Sequence, residues 1–111
     1  MKKLHILWTN ADVDTSRYMV LLYAMNSVLR SWWDEVTVIV WGAPARLIAE
    51  NQEIADYVLA AQKEGVKFTA CLRCARELGV EDRLNQLGIE QIFWGEPFTA
   101  LLQSVEPLIT V

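Results

Sequence analysis

Short apolar runs and longer segments with helical periodicity alternate along the chain from one end to the other. Lys3-Leu4-His5-Ile6-Leu7-Trp8-Thr9 is a brief apolar block ending in turn-formers, the mark of a buried strand. Asp12, Asp14 and Thr15 each suit an N-cap or a first helical turn, and from there to about Ser31 the chain lacks proline and glycine, which predicts a helix. The middle of that helix, Tyr18 to Met25, is apolar all round. One side can cover a sheet while the other still needs a cover, and a second subunit is the simplest one. Trp32 and Trp33 at its end point the same way, because two adjacent large rings rarely both enter one small core.

Glu35 to Trp41 is rich in β-branched residues and predicts a second strand, ended by Gly42. Pro44 suits the first turn of a helix, and residues 43–64 read as one helix broken near Asn51, or as two, closing on Gly65. Val66 to Ala70 predicts a third strand. A helix starts near Cys71 and stops at Gly79, and a short one from Val80 to Leu87 is closed by Gly88. Ile89 to Trp94 predicts a fourth strand, Pro97 opens a last helix, and Leu108 to Val111 fits a fifth, edge strand. Five alternations of strand and helix predict the α/β class: a three-layer α/β/α sandwich around a mainly parallel five-stranded sheet, joined by right-handed crossovers. Ligands and reacting groups of such sheets sit beyond the carboxyl ends of the strands. Those ends carry Thr9 to Asp14, Trp41 to Arg46, Ala70 to Arg76 and Trp94 to Pro97.

Composition sharpens this picture. With 111 residues, 53% hydrophobic and 22% charged, the chain is expected to form one domain over residues 1–111, with more apolar surface than one small core absorbs. Self-association is the expected outlet. Ten basic residues against fourteen acidic ones leave a net charge of -4, and the basic residues are scattered, so nucleic acid is not an expected partner. The longest apolar run, Tyr18 to Met25, falls far short of the roughly 20 residues that span a bilayer, so no membrane association is expected. Met1-Lys2-Lys3 leads straight into a strand, with polar Thr9, Asn10 and Asp12 where a signal peptide would still be apolar. The expected location is cytoplasmic, where thiols stay reduced.

Two cysteines in a reducing compartment are better suited to chemistry or metal than to a structural bridge. Cys71 follows the third strand at the start of a helix, where unpaired N–H groups and the nearby Arg73 and Arg76 favour a thiolate. Cys74 lies one turn along the same face, close enough to form a disulfide with Cys71 or to take sulfur from it. The alternative is that both are small buried hydrophobes. Zinc is poorly supported, because a structural site needs four ligands and the one histidine, His5, sits in an apolar strand as an expected core residue with one satisfied nitrogen. That also disfavours Cys-His or Ser-His-Asp catalysis. Asp12-Val13-Asp14-Thr15 invites comparison with an aspartyl phosphatase motif, but a helix start stabilised by acids is the preferred reading. Gly42-Ala43-Pro44-Ala45-Arg46 offers N–H groups and an arginine to a small anion, although such a segment is more often a tight turn. Glycine-rich nucleotide motifs are absent, and no cofactor is expected. Trp8, Asn10, Trp41 and Trp94 are candidates to line a pocket beside Cys71, although tryptophans at strand ends are at least as often packing residues.

The chain resembles the DsrE/DsrF-like family of small sulfur-relay proteins. The resemblance runs through Leu4 to Trp8, Trp41-Gly42-Ala43-Pro44-Ala45-Arg46-Leu47, and above all Glu64-Gly65-Val66-Lys67-Phe68-Thr69-Ala70-Cys71 with Leu78-Gly79-Val80 after it. It implies that Cys71 carries a persulfide and passes it to a partner cysteine, with donor and acceptor proteins on either side. It also implies a homo-oligomer, a trimer or hexamer. The expected site is Cys71 and Cys74 for the chemistry, with Arg73, Asn10 and Trp41 binding substrate and no metal. Two other readings remain: a non-catalytic oligomeric scaffold or small-ligand-binding module, and a dithiol oxidoreductase using Cys71 and Cys74.

Overall fold

The computed structural model describes all 111 residues. Strands β1 (Lys3–Trp8), β2 (Glu35–Val40), β3 (Lys67–Cys71), β4 (Glu90–Ile92) and β5 (Leu108–Thr110) form one sheet in the order β4-β3-β2-β1-β5. Every neighbouring pair is parallel, with Trp8 beside Val40, Val40 beside Ala70, and Cys71 beside Ile92. The α/β class expected from the alternation holds. β4 is shorter than the apolar run predicts, because Phe93 and Trp94 already leave the sheet toward the last helix.

Strand order makes the sandwich unequal. From β1 to β4 each step moves one strand in the same direction, so right-handed crossovers put every intervening helix on one face. That face carries α1 (Val13–Thr15), a π-helical stretch (Ser16–Leu21) and α2 (Leu22–Leu29), which run on as one helix. It also carries α3 (Ala43–Glu50), α4 (Gln52–Lys63), α5 (Leu72–Glu77) and α6 (Glu81–Gln86). The return from β4 to β5 crosses three strands the other way and sets α7 (Gly95–Leu102) on the opposite face. A single eight-residue helix is therefore the whole third layer.

Local chemistry explains the helix boundaries. Asp12 is the N-cap of α1, its carboxylate accepting the Thr15 N–H at 2.8 Å, and that bond holds its pKa below the usual carboxylate range. The acidic segment is thus a helix start, with no second role in the structure. Asn51, with extended φ and ψ, ends α3 and caps α4 by accepting the Ile54 N–H at 3.1 Å, which is the predicted break. The π stretch has no counterpart in the predicted elements. Its wider turn carries Ser16, Val20 and Leu21 all into the interior.

Alternation along the strands divides the buried residues into two sets. Leu4, Ile6 and Trp8 of β1, Val36, Val38 and Val40 of β2, and Phe68 and Ala70 of β3 join helix residues such as Val20, Ile48, Ile54 and Leu84 in the principal core. Leu7, Ile39 and Cys71 are also buried but lie outside that cluster, on the face that α7 covers. Trp8 is fully buried and donates its indole N–H to Ser16 Oγ at 3.1 Å, so of its two expected roles it takes packing in the core, and it lines no pocket. The two terminal tryptophans divide as expected: Trp33 is half-buried, donating to Tyr23 Oη at 3.3 Å, while Trp32 stays exposed. His5 is not the satisfied core histidine expected. It lies on the second face, its Nδ1 buried without a partner and its Nε2 3.6 Å from a Glu106 carboxylate oxygen. No helix is long and apolar enough to cross a membrane.

Candidate functional site

All five strands being parallel, their carboxyl ends share one edge of the molecule. A crevice opens at that edge where adjacent strands send their connections to opposite faces. β3 and β4 are such a pair, since β3 leads into α5 on the first face and β4 into α7 on the second. Cys71 is the last residue of β3 and the N-cap of α5, just before the first helical residue, at the strand-to-helix junction expected for it. Cys74 is the third residue of α5, and an N-cap side chain lies over that position. Both are free thiols: Cys71 is 7% exposed and Cys74 half-buried.

The Cys74 thiol is pushed up, first by burial and then by its contact with the Cys71 sulfur and by nearby Glu77, while the Gly42 backbone amide acts the opposite way. Gly42 reaches Cys74 because it turns the chain between β2 and α3 with φ +80° and ψ -126°, a conformation that side chains rarely tolerate. The local charges differ from expectation. Arg73 is exposed and donates to Glu77 at 2.9 Å, and Arg76 pairs with Glu81 at 3.4 Å while lying 5.7 Å from the Phe93 ring centre. Each cation expected to favour a Cys71 thiolate is tied to its own acid, and α5 has only six residues to contribute a dipole.

The other expected site residues scatter along the edge. Asn10 follows β1, two strands and about 10 Å of sheet from β3, and its side chain accepts the Asp12 N–H at 3.1 Å. Trp41 follows β2 and packs edge-on against Phe98 of α7, ring centres 5.2 Å apart. Trp94 donates to Thr69 Oγ at 3.0 Å and so anchors the start of α7 to β3. The structure brings together Cys71, Cys74 and Gly42. The N–H groups expected from the Gly42 segment include the one that reaches Cys74, but that partner, Phe98 and the Trp94–Thr69 bond were not legible in local sequence, because each depends on which strands become neighbours.

Two depressions mark the surface. A groove of about 610 Å³ on the second face is lined by Thr37, Lys67, Thr69, Ile92 and Trp94, and Ile92 is the ladder partner of Cys71. A smaller one of about 310 Å³ lies among Ala11, Ala43, Arg46 and Asn51 at the ends of β1 and β2. No three His, Cys, Asp or Glu side chains converge as a metal site.

Because burial holds Cys74 neutral, its ionisation opposes folding. A thiol whose folded pKa is raised binds its proton more tightly in the native state, so its contribution is complete below the ordinary thiol value of about 8.5 and is lost as pH climbs through the folded value. Cys74→Ala is therefore expected to flatten the alkaline arm of the stability profile, measured by urea denaturation at stepped pH. Tyr57, also raised by burial, keeps its own alkaline contribution in both proteins. An unchanged alkaline slope in the variant would contradict this assignment.

No protein-family model matches the chain, and no curated protein matches it. Among solved structures, the YchN protein from E. coli aligns over 100% of both chains with a TM-score of 0.70 at 15% identity. YchN has the DsrE-like fold, and so does this chain. A conserved protein of unknown function, BT1422 from Bacteroides thetaiotaomicron, is 34% identical over 99% of this chain and 95% of its own, with a TM-score of 0.97. The chain belongs to the family of BT1422.

Proposed function

We propose that this protein is a small sulfur-relay protein, a sulfurtransferase or sulfur carrier that holds a persulfide on Cys71. One observation carries the reading: a free cysteine ends β3 in the crevice beside β4, with a second thiol next to it. The Cys71 thiolate attacks the outer sulfur of a donor persulfide, R–S–SH. The donor's S–S bond breaks, its electron pair leaves on R–S⁻, and a new S–S bond gives Cys71–S–SH. An acceptor thiolate then attacks the terminal sulfur, and Cys71 leaves as a thiolate. One S–S bond is exchanged for another in each step, so no outside oxidant or reductant is consumed.

Cys74, kept protonated by burial, donates its S–H to the Cys71 sulfur and spreads the negative charge that appears there. Donor and acceptor are proteins that present a cysteine to the β3/β4 edge, approaching along the groove that ends at Ile92 and Trp94. The DsrE-like fold of YchN supports the same reading. The relay belongs in a reducing compartment, where both cysteines remain thiols.

Cold cyanolysis after incubation with a persulfide donor tests this. Wild type should release sulfane sulfur as thiocyanate in stoichiometric amount, and Cys71→Ser should release none. Equal release from a folded Cys71→Ser protein would remove the assignment.

A further inference from the structure

A sulfur held on Cys71 has a second thiol against it, and that contact opens a second route out. Cys71 and Cys74 are the N-cap and the third residue of α5, and both thiols are free. Cys71 keeps extended backbone angles, φ -70° and ψ 116°, so its side chain is not held in helical geometry. A Cys-x-x-Cys pair at a helix start is the spacing that redox proteins close into a disulfide.

The two sulfurs also come from different layers. Cys71 belongs to the strand residues of the second face, whereas α5 lies on the first. Cys74 therefore meets the Cys71 sulfur from the helical side and leaves the crevice side, toward Ile92, for an outer sulfur. Displacement at sulfur proceeds from the side opposite the leaving group, and this arrangement supplies that line. The Gly42 N–H, brought from the loop after β2, reaches the Cys74 sulfur and steadies negative charge there.

We infer that Cys74 discharges the Cys71 persulfide when no acceptor is docked, closing a Cys71–Cys74 disulfide and releasing sulfide. The inference rests on the persulfide reading of Cys71. Cys74 gives up its proton, and its sulfur attacks the inner sulfur of Cys71–S–SH. The bond to the outer sulfur breaks, and that sulfur leaves with the electron pair as HS⁻, taking up the proton as hydrogen sulfide. One S–S bond replaces another, so no oxidant is consumed. A dithiol reductant then exchanges with the Cys71–Cys74 bond, restoring both thiols and leaving as its own disulfide. Over one cycle a persulfide and a dithiol become a thiol, a disulfide and hydrogen sulfide. The attack waits on a proton that burial retains, so discharge is slow and the persulfide is the species present after brief loading.

Brief loading with glutathione persulfide, removal of the excess by desalting, and dilution without reductant or acceptor test it, with sulfide and intact mass followed together. Wild type should lose its added sulfur, release about one sulfide per chain and end two hydrogens lighter than the reduced protein, with dithiothreitol restoring the reduced mass. Cys74→Ser and Cys74→Ala should load equally and release sulfide at least about tenfold more slowly. A wild-type persulfide as long-lived as that of the Cys74 variants, or sulfide release that ends in a disulfide-linked dimer, would overturn the inference and leave the carrier reading intact. Failure of wild type to load at all would overturn both.

Discussion

Trp8→Ala is expected to lower the free energy of unfolding by about 3–5 kcal/mol, a large part of the 5–15 kcal/mol typical of a small domain. Trp8 is 0% exposed, sits at the end of β1 beneath the helical layer, and is the bulkiest of the fully buried side chains. Removing it empties a ring-sized volume between β1 and the π-helical stretch and leaves the Ser16 hydroxyl without its indole donor. Ser16→Ala separates the second effect from the first. It strands the indole N–H in the interior at a cost of about 1–3 kcal/mol, below that of the cavity. Urea titration reads both as shifts of the midpoint at constant slope. A loss under about 1 kcal/mol for Trp8→Ala would mean that the helix collapses onto the sheet without it, and that the buried position is not the anchor described.

The second large effect falls on the thinner side of the sandwich. Ile39 is 0% exposed although it lies outside the principal core, so its burial comes from the face that α7 alone covers. Ile39→Ala is expected to cost about 2–5 kcal/mol. Thr37, two residues earlier on the same face, is half-buried at the groove, and Thr37→Ala should stay within about 0.5 kcal/mol. If the two variants were equally mild, α7 would not be a packed layer. The contrast matters for the site, because α7 starts at Trp94 and its position defines one wall of the crevice beside Cys71.

Elements that depend on near neighbours in sequence were legible before the structure. Asp12 as a helix start, Asn51 as a break, Gly42 as the end of a strand and the five strand positions all follow from side-chain hydrogen bonds, backbone freedom and apolar runs. The order of the strands was not legible, since parallel pairing is decided by contacts far apart in sequence. From that order comes the one-sided helical layer, and with it the open second face. Trp8 illustrates the limit: a tryptophan at a strand end fits a pocket wall or a core equally well by pattern, and only its contact with Ser16 decides.

The candidate site divides in the same way. The Cys71–Cys74 spacing announces two sulfurs on one turn, whereas the Gly42 amide comes from another loop, read as a turn or as N–H groups for an anion, and its approach to Cys74 was not visible. Arg73 and Arg76 mislead by proximity in sequence. Glu77 and Glu81, a turn further on, take the charge that the spacing assigns to the thiol.

The measurement that reaches the central claim most directly is intact-protein mass spectrometry after incubation with a persulfide donor, on wild type, Cys71→Ser and Cys74→Ser. The account predicts a gain of one sulfur atom on wild type and on Cys74→Ser, reversed by reductant and absent from Cys71→Ser. No gain on wild type, or a gain that survives in folded Cys71→Ser, would contradict it.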